Sequence, residues 1–273
     1  MLKSEKIAFI GSGVMAQAMI AGLVNQNLID PQQIIASDLR PERGEELRAR
    51  YGVRHTSNNV EATQKANIIV LSVKPQAMDE VLADIKGNFS PEALVLSIAA
   101  GVTLSRMKKG LEHDNIVRVM PNTPARVGEG MSVWIAADSV SQRQREQAQT
   151  ILGSLGEEIF VDHEYYLDMA TALSGTGPAY IFLFIEALID AGVHMGFSRR
   201  VAQELVLQTM EGSVKFARKH QRHPVELRNM VTSPGGTTAD ALYQLEKGGF
   251  RTIISKAVFA AYQKSKFLGG EEA

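Results

Sequence analysis

The sequence predicts an α/β fold in two parts: a doubly wound, mostly parallel sheet over residues 1–162, then an all-helical domain over residues 163–273. Three observations carry this. Short apolar runs alternate with helical stretches up to Asp162, the pattern of βαβ units. Beyond that point period-2 alternation stops and 3.6-residue patterns take over. The length of 273 residues suits one large domain or two of ordinary size, and the change of pattern selects two.

The elements follow in order. Ile7–Ile10 is an apolar strand that runs into glycine, and Val14–Asn25 carries Val14, Ala18 and Ala21 at roughly helical spacing. Ile34–Ser37 is the second strand. Pro41–Tyr51 is a charged helix whose proline suits a first turn. Residues 66–73 (ANIIVLSV) are nearly all apolar, as a strand covered on both faces should be. Strands over 94–99, 116–120 and 133–136 continue the series, and a helix over 142–155 and a short strand over 158–161 close it. The second part reads as helices over 165–173, 179–195, 199–219, 224–231, 239–246 and 250–267. The breakers between them include Gly175-Thr176-Gly177-Pro178, Ser233-Pro234-Gly235-Gly236 and Gly248-Gly249. The tail, 269–273, is expected to fray.

Composition narrows the function. Lys and Arg number 29 against 30 Asp and Glu, so no basic surplus favours nucleic acid. The chain has no cysteine, which excludes disulfides, thiolate zinc sites and cysteine nucleophiles. The six histidines show no metal-ligand spacing, and no metal is expected. The most apolar stretch, 179–185, is closed by Glu186 and Asp190. It is shorter than the ~20 residues of a membrane span and reads as a buried helix. With no targeting segment in view, a soluble cytoplasmic protein is expected.

Gly11-Ser12-Gly13-Val14-Met15-Ala16 fits G-x-G-x-x-A between a strand and a helix. Gly11 permits the tight turn, Gly13 lets backbone approach a pyrophosphate, and Ala16 lets helix and strand pack closely. The helix N-terminus then offers N–H donors to phosphate. Cofactor choice is read after the second strand. Asp38 there suits the ribose 2′-hydroxyl of NAD, whereas Ser37, Arg40 and Arg43 suit a 2′-phosphate. Asn58 and Asn59 either cap a short helix or reach the adenosine end. In the helical half, Ser174-Gly175-Thr176-Gly177-Pro178 and 232–238 (TSPGGTT) each lead into a helix and could seat a small carboxylate. A hydroxyacid dehydrogenase would share the two-part plan, but it commonly places a lysine base on the first long helix of its second domain. Residues 178–191 contain no lysine. A non-catalytic nucleotide-sensing module would have no need for 233–238.

These blocks occur in order with Val73-Lys74-Pro75, Ser97-Ile98-Ala99-Ala100-Gly101-Val102-Thr103, Arg118-Val119-Met120-Pro121-Asn122-Thr123-Pro124 and Leu173-Ser174-Gly175-Thr176-Gly177-Pro178-Ala179-Tyr180. Together they resemble pyrroline-5-carboxylate reductase over about residues 7–267. The resemblance implies a Rossmann domain, a helical dimerisation domain, a homo-oligomer built from dimers, and NADPH as cofactor with NADH as the alternative. It implies hydride transfer to the C=N carbon of 1-pyrroline-5-carboxylate, giving L-proline.

By that resemblance the cofactor meets Ile10, Gly11, Ser12, Gly13, Val14 and Met15 on the glycine loop. Ser37 and Asn59 follow, then Ser72, Val73, Lys74 and Pro75, and then Ile98, Ala99 and Ala100. The residue reading adds Arg40, and the Pro-Asn-Thr-Pro block adds Asn122. The substrate meets Ser233, Gly235, Gly236, Thr237, Thr238 and Ser174, with the Thr238 hydroxyl on the ring nitrogen as the catalytic contact. The chain departs from the family pattern at Asp38 and at Met230.

Overall fold

The computed structural model describes residues 2–269, so residues 270–273 of the expected frayed tail lie outside the described residues. The chain forms two compact units, Met1–Thr176 with Ala261–Ala273, and Gly177–Ala260.

The first unit is built on eight strands: β1 (Ile7–Ile10), β2 (Ile34–Ser37), β3 (Arg54–Thr56), β4 (Ile68–Leu71), β5 (Leu94–Ser97), β6 (Ile116–Met120), β7 (Gly130–Ala136) and β8 (Gly156–Phe160). They lie in the order β3-β2-β1-β4-β5-β6-β7-β8. All neighbours are parallel except β6 and β7. The helices of this part are α1 (Val14–Asn25), α2 (Pro41–Tyr51), α3 (Asn59–Thr63), α4 (Met78–Ile85), α5 (Leu104–Leu111) and α6 (Gln142–Gly153). Alternate residues of the central strands enter two separate cores. Phe9, Val70 and Leu96 pack with Ile20, Leu23 and Ile151 on one face. Ile10, Ile69 and Val95 pack with Leu82, Ile85 and Met107 on the other. The continuous apolar runs seen in the sequence thus reflect burial on both faces. The order of strands reverses between β1 and β4, and the crevice beyond their carboxyl ends is where this architecture binds ligands.

The sequence reading missed β3, α4 and α5. It gave strand 66–73 extra residues at both ends, because the apolar run continues past the last paired residue, Leu71. The helix expected at 165–173 is α7 (Tyr165–Ala170), followed by a π-helical turn over Thr171–Gly175. Leu167 packs with Val133 and Ile135 of β7. That contact holds α7 to the sheet, so compactness divides the chain after Thr176 rather than at residue 162. The break expected at 174–178 does not form as a loop. The Thr176 N–H donates to the Thr171 carbonyl, and α8 (Gly177–His194) follows at once. In a sequence, glycine and proline here look the same whether they end a helix or start the next one.

The second unit holds α8, α9 (Arg199–His220), α10 (Pro224–Met230), α11 (Thr237–Lys247) and the first part of α12 (Phe250–Leu268). α8 and α9 approach closely, since a Cβ on Gly192 would stand 2.9 Å from that of Ala202. Among the described residues of this unit only Ile189, Gly192 and Ala202 are buried. The stretch 179–185, read as a buried helix, is therefore a correction: Phe182 is 64% and Leu183 67% exposed. Tyr165–His194 is the one helical stretch among the described residues long and apolar enough to cross a membrane.

Candidate active site

The glycine loop closes on β2 and β4. Gly11 has φ of +93°, and its N–H donates to the Ser37 carbonyl at 2.8 Å. A Cβ at Gly11 would stand 2.9 Å from the Ser72 carbonyl oxygen and from Val73 Cγ1. Both the dihedral and the space therefore require glycine. Ser72 Oγ donates to the Gly11 carbonyl at 2.7 Å and fixes the turn from the neighbouring strand. Gly13 is different: nothing lies within 4 Å of where its Cβ would be. It caps α1 with no side-chain hydrogen bond, and no acidic residue sits in the first turn. The free N–H groups of α1 are thus left open to an outside acceptor.

These residues border a cavity of about 930 Å³. Of the expected cofactor residues it brings together Ile10, Gly11, Gly13, Ser37, Arg40, Asn59, Ser72, Val73 and Lys74. The others stand differently. Ser12 is buried and its hydroxyl has no partner. Val14 is exposed, and Met15 packs against the core. Pro75 starts a short 3₁₀ turn, and Ala99 is buried after β5 while Ile98 packs on the opposite core. Asn122 is engaged elsewhere, accepting the Met131 N–H at 2.9 Å and donating to the Ser174 carbonyl at 3.2 Å. Sequence reasoning missed the cavity wall on α4, Glu80, Ala83 and Asp84. The signal was present: Met78, Val81, Leu82 and Ile85 are all buried at helical spacing, which turns those three outward.

Polar contacts organise the end of the crevice beside β2. Ser37 Oγ donates to Asn59 Oδ1 at 2.7 Å, and Asn59 Nδ2 donates to Asp84 Oδ2 at 2.9 Å. Asn58 is the residue that caps α3, accepting the Glu61 N–H, which leaves Asn59 to the cavity. Asp38 Oδ2 accepts the Ser12 N–H at 2.9 Å, and Asp38 Oδ1 accepts the Arg40 N–H at 3.0 Å. Burial alone would push the Asp38 carboxyl up. The N–H groups of Ser12 and Arg40, with the Arg40 side chain, outweigh burial and hold it below its ordinary value.

On β6, Arg118 is 3% exposed and donates to Glu164 at 2.8 Å, with Asp168 at 3.6 Å. Asp168 also accepts the Ser265 hydroxyl at 2.7 Å. Ser174, expected at the substrate, donates its hydroxyl to the Ala170 carbonyl within its own turn.

The second expected loop lies in the other unit. Gly235 has φ of +69°, and Gly236 caps α11 without a side-chain bond. α11 starts two residues earlier than the sequence suggests, so Thr237 and Thr238 occupy its first turn. Thr237 is exposed and Thr238 half-buried. This is a second open helix N-terminus suited to a carboxylate. Among the described residues no group of three acidic or histidine side chains is placed to hold a metal.

Residues 164–268 match the family model for the pyrroline-5-carboxylate reductase dimerisation region, and residues 6–101 match that for coenzyme F420-dependent NADP oxidoreductases. A pyrroline-5-carboxylate reductase of Synechocystis is 42% identical over 97% of this chain and 99% of its own. The chain belongs to the pyrroline-5-carboxylate reductase family. The solved reductase of Plasmodium falciparum, with NADP bound, is 37% identical with a TM-score of 0.90, over 98% of this chain and 99% of that one. The reductase of Coxiella burnetii is 36% identical with a TM-score of 0.88, over 97% and 99%. The expected fold class, an N-terminal Rossmann sheet followed by a helical reductase domain, is borne out. The chain is an oxidoreductase of this family, and NADPH fits its crevice: the unfilled cradle at Gly13 and the uncapped α1 are what a pyrophosphate requires.

Proposed function

We propose that this chain reduces the C=N bond of 1-pyrroline-5-carboxylate to L-proline, the last step of proline biosynthesis, with NADPH as reductant. The observation that carries the reading is the glycine-loop crevice, set in a chain alike end to end with named reductases. When bound, NADPH supplies a hydride to the imine carbon. The protein's residues position and polarise. The α1 N-terminus and the Gly11–Gly13 backbone hold the pyrophosphate, while Ser37, Arg40, Asn59 and Lys74 hold the adenosine end and the edge of the crevice. The N–H groups that open α11, with Ser233, Gly235, Gly236 and Thr237, hold the substrate carboxylate. The Thr238 hydroxyl hydrogen-bonds the ring nitrogen and fixes the ring for attack. Asn122 acts by clamping the turn that contains Ser174. A cyclic imine is activated by its own protonation, so placement and electrostatics suffice and no strong enzymic acid is needed.

Two copies associate through the exposed apolar faces of α8 and α12, and larger assemblies are built from such dimers. The family description of 164–268 as a dimerisation region and the exposure of Phe182, Leu183 and Phe259 support this. On this reading the apolar length of Tyr165–His194 serves subunit association in a cytoplasmic enzyme rather than a membrane.

The test is NADPH absorbance in the presence of pyrroline-5-carboxylate. Oxidation of NADPH with proline formed is expected. Oxidation of a hydroxyacid with NAD and no imine reduction would overturn the reading. Thr238→Ala should lower turnover about 10–100-fold, the loss of one hydrogen bond to the ring nitrogen, while NADPH affinity is kept, and an unchanged turnover would remove Thr238 from the chemistry.

A further inference from the structure

We infer that Asp38 is a positioning residue that holds a two-arginine clamp for the 2′-phosphate, not the acceptor for ribose hydroxyls that its place after β2 suggests. An acidic residue at this point of a dinucleotide-binding sheet usually accepts the ribose 2′-hydroxyl. That role needs lone pairs free toward the ligand. A carboxylate has about four such sites, and the chain's own donors surround both Asp38 oxygens. Oδ2 accepts the Ser12 N–H at 2.9 Å and has Arg43 Nη1 at 3.8 Å. Oδ1 accepts the Arg40 N–H at 3.0 Å and Arg40 Nε at 3.4 Å. The Asp38 side chain is only 8% exposed, against 55% for Arg40 and 35% for Arg43. The anion is turned inward and the cations outward, on one wall of the cavity.

The arginines keep donors in reserve. A guanidinium carries five N–H groups, and Arg40 spends one on Asp38. Two guanidiniums against one carboxylate leave this wall with a positive surplus. Arg40 opens α2 and Arg43 stands in its first turn, where the helix dipole also favours an anion. The other carboxylates bordering the cavity, Glu80 and Asp84, sit on α4, and Asp84 is engaged by Asn59. A phosphate beside Arg40 and Arg43 meets charge-assisted donors; a bare ribose diol there meets an acceptor already in use. Asp38 also holds the Ser12 N–H, so one side chain sets both the glycine-loop shape and the arginine pair.

This inference rests on NADPH being the cofactor, and binding tests it apart from turnover. NADPH and NADH are titrated calorimetrically into the unaltered protein, Asp38→Asn, Arg40→Ala/Arg43→Ala, and the triple variant. Tighter binding of NADPH than NADH is expected in the unaltered protein. Asp38→Asn should weaken NADPH about fivefold more than NADH, with the loss in steady-state assays falling on the NADPH KM rather than on kcat. In the double-arginine background this selective loss should vanish, leaving an equal effect on both cofactors through Ser12. A selective loss of NADH in Asp38→Asn would overturn the inference, because it is the mark of a ribose acceptor. Additivity of the Asp38 and arginine effects would overturn it as well. Should Asp38→Asn fail to fold, Arg43→Lys alone decides: it keeps the charge but loses the fork, and undiminished preference for NADPH counts against the clamp. Selective NADPH binding without pyrroline-5-carboxylate turnover would overturn the proposed reaction and leave the clamp standing.

Discussion

The sheet of the first unit and the helices of the second use apolar residues in opposite ways. On β1, β4 and β5 every residue is buried, and each face has its own core drawn from the same chain. On α8, residues of the same kind stand in the open: Ile181, Phe182 and Leu183 are all about half exposed or more. Apolar patches of this kind mark association surfaces. The difference teaches that one sequence signal, an apolar run, serves two ends. In the sheet it stabilises a fold; in α8 it stands exposed, as the proposed subunit contact requires.

The largest test of this contrast is Phe182→Arg/Leu183→Arg. Association should weaken about a hundredfold or more, because charges replace the centre of an apolar contact, and light scattering should give the mass of a single chain. An unchanged mass would break the comparison. Next is Ile69→Ala, fully buried on β4, which should lower unfolding stability by about 2–5 kcal/mol. Denaturation at two protein concentrations should give the same loss. Gly11→Ala should weaken NADPH binding by about 1–3 kcal/mol, read by calorimetry, since it forces a side chain to φ of +93° against the Ser72 carbonyl. The smallest effect belongs to Val127→Ser. Val127 is 77% exposed and lies on the first unit, away from α8 and α12 in the chain, so mass should not change and stability should shift by less than about 0.5 kcal/mol. A change in mass there would show that exposure alone, not clustering, selects the interface.

The legible parts of this protein were those with a strong local signal. β1, β2 and β6 stand where their apolar runs predicted: β1 is apolar throughout, and Ser37 and Arg118 are single polar residues buried within the otherwise apolar runs of β2 and β6. β3 (RHT) was not legible, since it pairs with β2 alone and is half exposed. The glycine loop was legible from Gly11 and Gly13, whose roles depend on backbone alone. The α4 wall was not, because Glu80 and Asp84 look in sequence like the solvent face of any helix. Asp38 and Arg40 were named, but their mutual arrangement depends on which donors reach the carboxylate first. The exposure of α8 was hidden as well: an apolar helix reads the same whether its cover comes from its own chain or from a second one.

The last helix adds an ordering in time. The chain leaves the first unit at Thr176 and rejoins it at Ala261. There the Ser265 hydroxyl donates to Asp168, and Leu268 lies against Gly101, where a Cβ would stand 3.1 Å from the Leu268 carbonyl carbon. During synthesis the sheet can form once β8 has emerged. The turn after β5 must wait for α12, more than a hundred residues later, to gain its support. The last contacts of the first unit are thus supplied by residues synthesised after the helices that interrupt it.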